Sequence, residues 1–213
     1  MSLGLILLMA LSVLILFGVG QRVLDRLRLT DRQALLMIAA IFVGGLIPDI
    51  ALGSVRINIG GALIPFILCI YLLVRADTNM ERVRALVAAA LTGVAVYLIG
   101  RFMPGDPTRL SFDPNYLYGL VGGAIAYLLG RSRRASFVAA VLGVIGADIA
   151  VGAMNFASGI NQTLHLGSAG ALDVVVISGL IAVLLSELVG ELLERLAHGS
   201  TQDGYVTTGR RRR

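Results

Sequence analysis

Long apolar segments, separated by short polar turns, fill almost the whole chain. A helix needs about 20 mostly apolar residues to cross the hydrocarbon core of a bilayer. Hydrophobic residues make up 57% of the 213 residues, which is too apolar for a soluble domain of this size. The sequence therefore predicts an all-α polytopic membrane helix bundle with about seven transmembrane helices. The predicted spans are residues 3–20, 33–53, 59–75, 83–101, 115–130, 135–156 and 169–189.

The basic residues predict the orientation of these helices. All 18 are arginines. In the predicted topology only Arg56, Arg101 and Arg109 lie on one side of the membrane, and the other arginines collect on the opposite side. Because basic residues concentrate in cytoplasmic loops, we expect an inner (plasma) membrane protein with its N-terminus outside and its C-terminus in the cytoplasm. The net charge of +5 is then a topology signal, and nucleic-acid binding is not predicted.

The two ends of the chain differ in character. The first apolar segment lacks a basic start and a small-residue cleavage site, so we expect a retained helix and no signal peptide. Residues 200–213 are expected to form a disordered basic cytoplasmic tail that could rest on anionic lipid, which leaves residues 1–199 as the transmembrane domain. The single cysteine, Cys69, lies in mid-span and is interpreted as a packing residue.

A short pattern occurs twice. The segments GLIPDIALGS and VIGADIAVGA, at 45–54 and 144–153, share Asp-Ile-Ala-x-Gly, and a Gly-Ala-Leu triplet follows each of them. These matches predict two parallel three-helix repeats joined by the fourth helix and related by an axis along the membrane normal. A chance match between two glycine-rich stretches is the alternative. The repeat halves would be residues 3–75 and 115–190, with the triplets at 61–63 and 170–172.

Three aspartates lie inside the predicted spans, where each costs about 2.5–3.5 kcal/mol on insertion scales. Asp49 and Asp148 are expected near the outer ends of the second and sixth helices, and Asp173 about one turn into the seventh. Two carboxylates in one site cannot both ionise easily, so one keeps a proton while the other can activate water, as in aspartic proteases. Asp148 and Asp173 are therefore the candidate catalytic residues. The alternative is that the aspartates only cap helix ends.

Two prolines predict interruptions of the helices. Pro48 and Pro65 each remove a helical hydrogen bond, which would free a carbonyl at Gly44 or Gly61. Broken backbone at membrane depth is tolerated only where protein or a wet cavity surrounds it. We therefore expect a polar site near these breaks.

A transporter or ion-binding protein is the competing functional hypothesis. Asp49, Asn58 and Asn155, with freed carbonyls, could supply oxygen ligands for a small solute or cation at the repeat interface. Seven short helices are few for a transporter, and a homo-oligomer could supply the missing wall. His165, in an outer loop, is interpreted as a surface residue. A non-enzymatic structural or assembly role is the third alternative, and no cofactor or metal centre is predicted.

The segment from Gly170 to Asp173 resembles the GxGD signature of the presenilin and prepilin-peptidase class of intramembrane aspartic proteases. An aspartate on the preceding helix, here Asp148, is also the arrangement of that class. Leu172 stands where the signature has its second glycine, and the predicted topology puts the acids on the outer side, opposite to their usual placement. The resemblance implies a membrane peptide as the substrate.

Three longer runs resemble the motifs of a family of bacterial and archaeal multi-pass membrane proteins whose function is unknown. In that family the last motif is closer to Gly-Gly-Ala-Gly-Thr-Phe-Asp-Gly. Here Ala171 and Leu172 replace the Thr-Phe pair, and Val174 replaces the final glycine. The resemblance implies a membrane protein and a role for Asp148 and Asp173, without an activity. The runs are INIGGALIP at 57–65, GVIGADIAVG at 143–152 and GSAGALDVVVISGLIAVLL at 167–185.

Overall fold

The structure is a computed structural model and describes residues 31–102, 114–130 and 132–202, most of which are helical. The predicted span 3–20, most of the loop 101–115 and most of the tail lie outside these residues. The helices are α1 (Asp31–Leu46), α2 (Ile64–Val74), α3 (Asn79–Phe102), α4 (Pro114–Gly130), α5 (Arg133–Ala157) and α6 (Val174–Gln202). The strands are β1 (Ile50–Leu52), β2 (Val55–Ile57) and β3 (Leu164–Leu166).

Two of the described helices, α3 and α5, are long and apolar enough to cross a membrane. The other apolar helical stretches are 10–17 residues long, so the predicted count of seven spans is not confirmed. The span predicted over 33–53 was too long, because α1 ends at Leu46 and the chain then turns into a strand. The span predicted from residue 59 begins instead as a π-helical turn, Ile59–Leu63, that leads into α2.

A three-stranded sheet closes one end of the bundle, which corrects the all-α prediction. β1 and β2 form an antiparallel hairpin whose two-residue loop contains Gly53 at φ 62°, a left-handed conformation that glycine adopts without strain. β2 also pairs in parallel with β3, which follows α5 in the chain. α1 and α5 end at this sheet and α2 and α6 begin beside it, so we name it the sheet end.

Hydrogen bonds and ion pairs tie the loops together at the opposite end, which we name the basic end. The carbonyl oxygen of Arg75, after α2, accepts a hydrogen bond from Arg134 at the start of α5 over 3.0 Å. Arg134 also forms an ion pair with Asp77, and its Nε lies 3.7 Å from Glu81. Ser132 caps α5 by accepting a hydrogen bond from the Ala135 N–H. These contacts fix the start of α5 against the α2–α3 loop.

The core lies between α3, α4, α5 and α6, and α5 packs against the other three. Val138, Val141 and Val144 of α5 are almost completely buried, and alanines fill the places where helix backbones approach closely. Gly143 of α5 packs against Ala89 and Thr92 of α3, so that a side chain at Gly143 would collide with them. Small residues at helix contacts are typical of membrane bundles.

The outer face of α3 is apolar and exposed. Six of its large side chains are 43 to 56% exposed. A contiguous apolar surface of this kind marks contact with lipid or with another protein, since a soluble protein rarely leaves such a face open to water. These side chains belong to Val83, Leu86, Val87, Leu91, Val94 and Leu98.

Candidate functional site

Asp148 lies within α5, in the half of this helix that is nearer the sheet end. Val144 and Ile145, one turn before it, are buried, and Gly152, one turn after it, packs against the side chain of Leu164 in β3. Residues three and four apart share one face of a helix, so Asp148 lies on the face of α5 that carries these residues. α5 ends at Ala157, close to the end of the predicted span 135–156, and Asp148 lies about two and a half turns before that end.

Asp173 stands at the junction between a 3-10 turn, Gly170–Leu172, and α6. Its Oδ1 accepts a hydrogen bond from the Val175 N–H over 3.0 Å, and its Oδ2 accepts one from the Ala169 N–H over 3.2 Å. Asp173 therefore caps α6, whereas the sequence placed it one turn inside the helix.

α5, which contains Asp148, packs against α6, which Asp173 caps. The negative charge of Asp173 acts on Asp148, and both side chains are half-buried. α5 ends and α6 begins at the sheet end, so the two helices run antiparallel and present one acid each. We name Asp148 and Asp173 the acid pair.

Glycines allow three backbone segments to pack closely together at the turn that leads to Asp173. Gly61 in the π-helical turn packs on Gly167, which follows β3, and a Cβ atom at Gly61 would overlap the Gly167 carbonyl. Gly45 near the end of α1 packs on Gly170 in the same way. Gly170 also has φ 59°, a conformation that favours glycine, and its carbonyl accepts a hydrogen bond from the Asp173 N–H. Gly170 therefore positions Asp173.

A second polar cluster lies on the sheet and contains Asp49, Asn58 and His165. Asn58 is only 3% exposed; it donates a hydrogen bond to Asp49 over 2.9 Å and accepts one from the Gly61 N–H. His165 Nδ1 lies 3.9 Å from the second oxygen of Asp49. The sequence had singled out Asp49 and Asn58 without pairing them, and the contact with His165 was missed.

The two Asp-Ile-Ala-x-Gly copies adopt different structures. After Pro48 the first copy forms β1 and the hairpin loop, whereas the second copy is part of α5. Asp49 and Asp148 are therefore not structurally equivalent, and their shared pattern misled the sequence analysis. Val55 in β2 pairs with Leu164 in β3. The separation of these two residues along the sequence equals the separation of the two Gly-Ala-Leu triplets.

The remaining candidates lie apart from the acid pair. Asn155 donates a side-chain hydrogen bond to Gln162 in the loop after α5 over 3.2 Å. The carbonyl that Pro48 was expected to free, at Gly44, accepts a hydrogen bond from the Ile47 N–H, because α1 has already ended there. Pro65 occupies the first turn of α2, where its missing N–H costs little.

In the part of the chain that the structure describes, no group of three or more His, Cys, Asp or Glu side chains could hold a metal ion. The acid pair offers two carboxylates to one ligand, and the cluster around Asp49 offers one carboxylate beside an imidazole. The chemistry available at the acid pair is proton transfer and the binding of a polar group between the two helices.

Comparison with known sequences identifies a family. The sequence model of the family described as "Protein of unknown function (DUF1614)" matches residues 24–185, which include the acid pair and the glycine crossing. No curated protein and no solved structure matches the chain. The match confirms the resemblance to a family of unknown function and does not bear on the resemblance to aspartic proteases. With well over half of its length matched, the chain belongs to the DUF1614 family.

Proposed function

We propose that this protein is a membrane-embedded, aspartic-peptidase-like hydrolase whose acid pair cleaves a peptide bond. The supporting observation is that Asp148 and Asp173 lie on two helices that pack against each other, with both side chains half-buried and the charge of Asp173 acting on Asp148. Keeping two half-buried carboxylates together opposes stability, so a site that does so suggests chemical use. The segment Gly170 to Asp173 adds support through its resemblance to the GxGD signature.

A membrane location is part of the proposal. It is supported by the length and composition of α3 and α5 and by the exposed apolar face of α3. The chain would cross the membrane about seven times, with the basic end in the cytoplasm because arginines concentrate there. Substrates would then be membrane peptides.

The reaction needs one acid of the pair ionised and the other protonated. The ionised carboxylate takes a proton from water while the water oxygen attacks the peptide carbonyl carbon, and the protonated carboxyl gives its proton to the carbonyl oxygen. The product of this step is a neutral gem-diol. Its breakdown moves a proton to the amide nitrogen, breaks the C–N bond and releases a carboxylic acid and an amine, which restores a pair that holds one proton.

A transition-state analogue tests this proposal without a known substrate. The probe is a photoactivatable hydrophobic peptide with a hydroxyethylene group in place of one peptide bond, because its hydroxyl resembles the gem-diol. We expect it to label the wild-type protein in proteoliposomes, and to fail with Asp148→Asn and with Asp173→Asn. The matched control is Asp49→Asn, the same change outside the acid pair, which should keep the labelling.

Absence of labelling in the folded wild-type protein would contradict the proposal, and so would equal labelling of the wild type and both Asn variants at the acid pair. Folding of each variant is checked by its thermal unfolding in detergent. Because Asp173 caps α6, Asp173→Asn is expected to retain the fold, since asparagine also caps helices well.

A cation- or solute-binding protein is the second candidate, and one observation favours it. β2 and β3 each lead through a glycine-rich turn into a helix, and they pair in parallel at the offset of the Gly-Ala-Leu triplets. This arrangement supports an internal duplication, and repeats with interrupted helices are common in transporters. Uptake of labelled cations by proteoliposomes that depends on Asp148 and Asp173, without any peptide labelling, would favour this candidate. A second copy of the chain in a homo-oligomer would then complete the wall of the binding site.

A further inference from the structure

The acid pair lies in the half of the bundle next to the sheet. Asp148 follows Arg133, at the basic end of α5, by about 22 Å along the helix axis at 1.5 Å per residue. The hydrocarbon core of a bilayer is about 30 Å thick. Asp173 caps the start of α6, on the sheet side of the same bundle.

Small and fully buried side chains fill much of the described bundle between the acid pair and the basic end. Ala139 and Ala140 of α5 have no exposed surface, and neither have Ala126 of α4 and Ala182 of α6, which pack with them in one cluster. Val138, one turn from Arg134, is only 1% exposed. Side chains this small and this buried leave the helix backbones in contact.

Contacts at the basic end also hold the bundle closed there. Arg134 has a side chain only 14% exposed, and it joins α5 to the α2–α3 loop through Asp77 and the Arg75 carbonyl. Ser132 donates a hydrogen bond to Glu81 over 3.1 Å, which adds a second link between the same two segments. Opening a path here would require breaking both links.

The sheet end is polar beside the acid pair. Ser168 and Ala169, in the turn that leads to Asp173, are exposed, and the N–H of Ala169 donates directly to the Asp173 carboxylate. His165 on β3 and Gln162 in the preceding loop are also exposed. Exposed polar groups therefore lie close to Asp173 on the sheet side.

We propose that water, protons and the scissile bond reach the acid pair from the sheet end alone. This inference concerns the access to the site and rests on the proposed function. It makes the protein a one-sided enzyme whose substrate is cut in the sheet-side half of the membrane. It also excludes a transport path that runs through the core between α3, α4, α5 and α6.

Sided chemical modification tests the inference. The full chain, with Cys69→Ala as background, carries single cysteines at Asp173→Cys, Ala169→Cys or Met80→Cys. Ala169 marks the sheet side, and Met80, which is 68% exposed at the start of α3, marks the basic side. The probe is a membrane-impermeant, positively charged methanethiosulfonate, added to right-side-out or inside-out vesicles. The markers identify the sides, so the orientation need not be assumed.

We expect Asp173→Cys to react at least tenfold faster in the vesicles in which Ala169→Cys reacts than in those in which Met80→Cys reacts. Equal rates, faster reaction from the basic side, or no reaction from the sheet side would each overturn the inference. If Asp173→Cys does not fold, Asp148→Cys replaces it with the same expectation.

The outcomes separate this inference from the proposed function. Reaction from the basic side, with acid-dependent labelling by the hydroxyethylene peptide intact, would overturn the access route and leave the peptidase standing. Reaction from the sheet side without labelling by the hydroxyethylene peptide would overturn the peptidase proposal and leave the access route standing.

Discussion

Gly61 and Gly167 pack backbone against backbone, so that a Cβ atom on Gly61 would overlap the carbonyl oxygen of Gly167. Neither backbone can move freely, because Asn58 donates its N–H to Leu166 over 2.9 Å just beside the contact. The crossing joins the segment before α2 to the segment that ends at Asp173. The position of the acid pair therefore depends on residues that have no side chain.

Gly61→Ala is expected to lower the free energy of unfolding by about 2 kcal/mol or more, because overpacking against backbone cannot be relieved by a rotamer change. The measurement is thermal unfolding in detergent. The matched control is Gly146→Ala on α5, where an added Cβ meets nothing within 4 Å. Since glycine is unfavourable inside a helix, the control should be neutral or stabilising by about 0.5–1 kcal/mol. Equal effects of the two changes would show that the crossing is not tightly packed.

Asn58→Ala is expected to cost about 1–3 kcal/mol of stability. The change leaves the Gly61 N–H without its acceptor in a buried place and removes the hydrogen bond to Asp49. Asn155→Ala is the control, because the bond of Asn155 to Gln162 is exposed and such bonds contribute little. Chemical denaturation of both variants gives the comparison, and a cost for Asn155→Ala as large as that for Asn58→Ala would contradict the role given to Asn58.

Arg134→Gln is expected to destabilise the basic end by about 1–3 kcal/mol. It removes the ion pair with Asp77 and the hydrogen bond to the Arg75 carbonyl, both made by a largely buried side chain. Arg84→Gln, at an exposed position on α3, should change stability by less than about 0.5 kcal/mol. Hydrogen exchange of the Arg75–Asp77 segment should rise in the first variant and not in the second. Unchanged exchange in Arg134→Gln would mean that this arginine does not hold the loop.

Ser136→Ala is expected to leave the stability unchanged or to raise it. Ser136 is fully buried on α5, and its hydroxyl has no hydrogen-bond partner among the described residues. Removing an unpartnered buried hydroxyl avoids its desolvation cost. Ser132→Ala, which removes the cap of α5, is the contrasting variant and should cost about 1 kcal/mol. A loss of stability in Ser136→Ala comparable to that in Ser132→Ala would show that its hydroxyl is bonded.

The helical nature of most of the chain and its family could be predicted, because apolar segments and short motifs are local features of a sequence. The packing of the two helices next to Asp148 and Asp173 could also be anticipated, since one connection joins them. The match between the Asp49 and Asp148 patterns was misleading. Identical residues took a strand in one case and a helix in the other, because only the first copy contains a proline before the aspartate.

The sheet was missed although a local signal for its hairpin exists. Gly53-Ser54, between two short runs of mostly apolar residues, is a typical two-residue hairpin loop. The prediction of a long apolar span over 33–53 overlooked this loop. The pairing of β2 with β3 joins segments far apart in the chain, and so does the approach of His165 to Asp49. No local pattern encodes such contacts, and the glycines that permit the crossing resemble ordinary packing glycines.

The central claim is that Asp148 and Asp173 act as one unit, and a double-mutant cycle tests it most directly. The free energy of unfolding is measured in detergent for the wild type, Asp148→Asn, Asp173→Asn and the double variant. Each single change removes one of the two negative charges and therefore removes their repulsion. The second change in the double variant has no repulsion left to remove. The cap lost or altered at Asp173 cancels in the cycle.

We predict that the double variant is stabilised by less than the sum of the single changes, with a difference of about 0.5–3 kcal/mol that grows as the pH rises and both acids ionise. Effects of the two changes that add within about 0.3 kcal/mol at every pH would contradict the account. The two aspartates would then be independent, and the proposed acid pair would not exist.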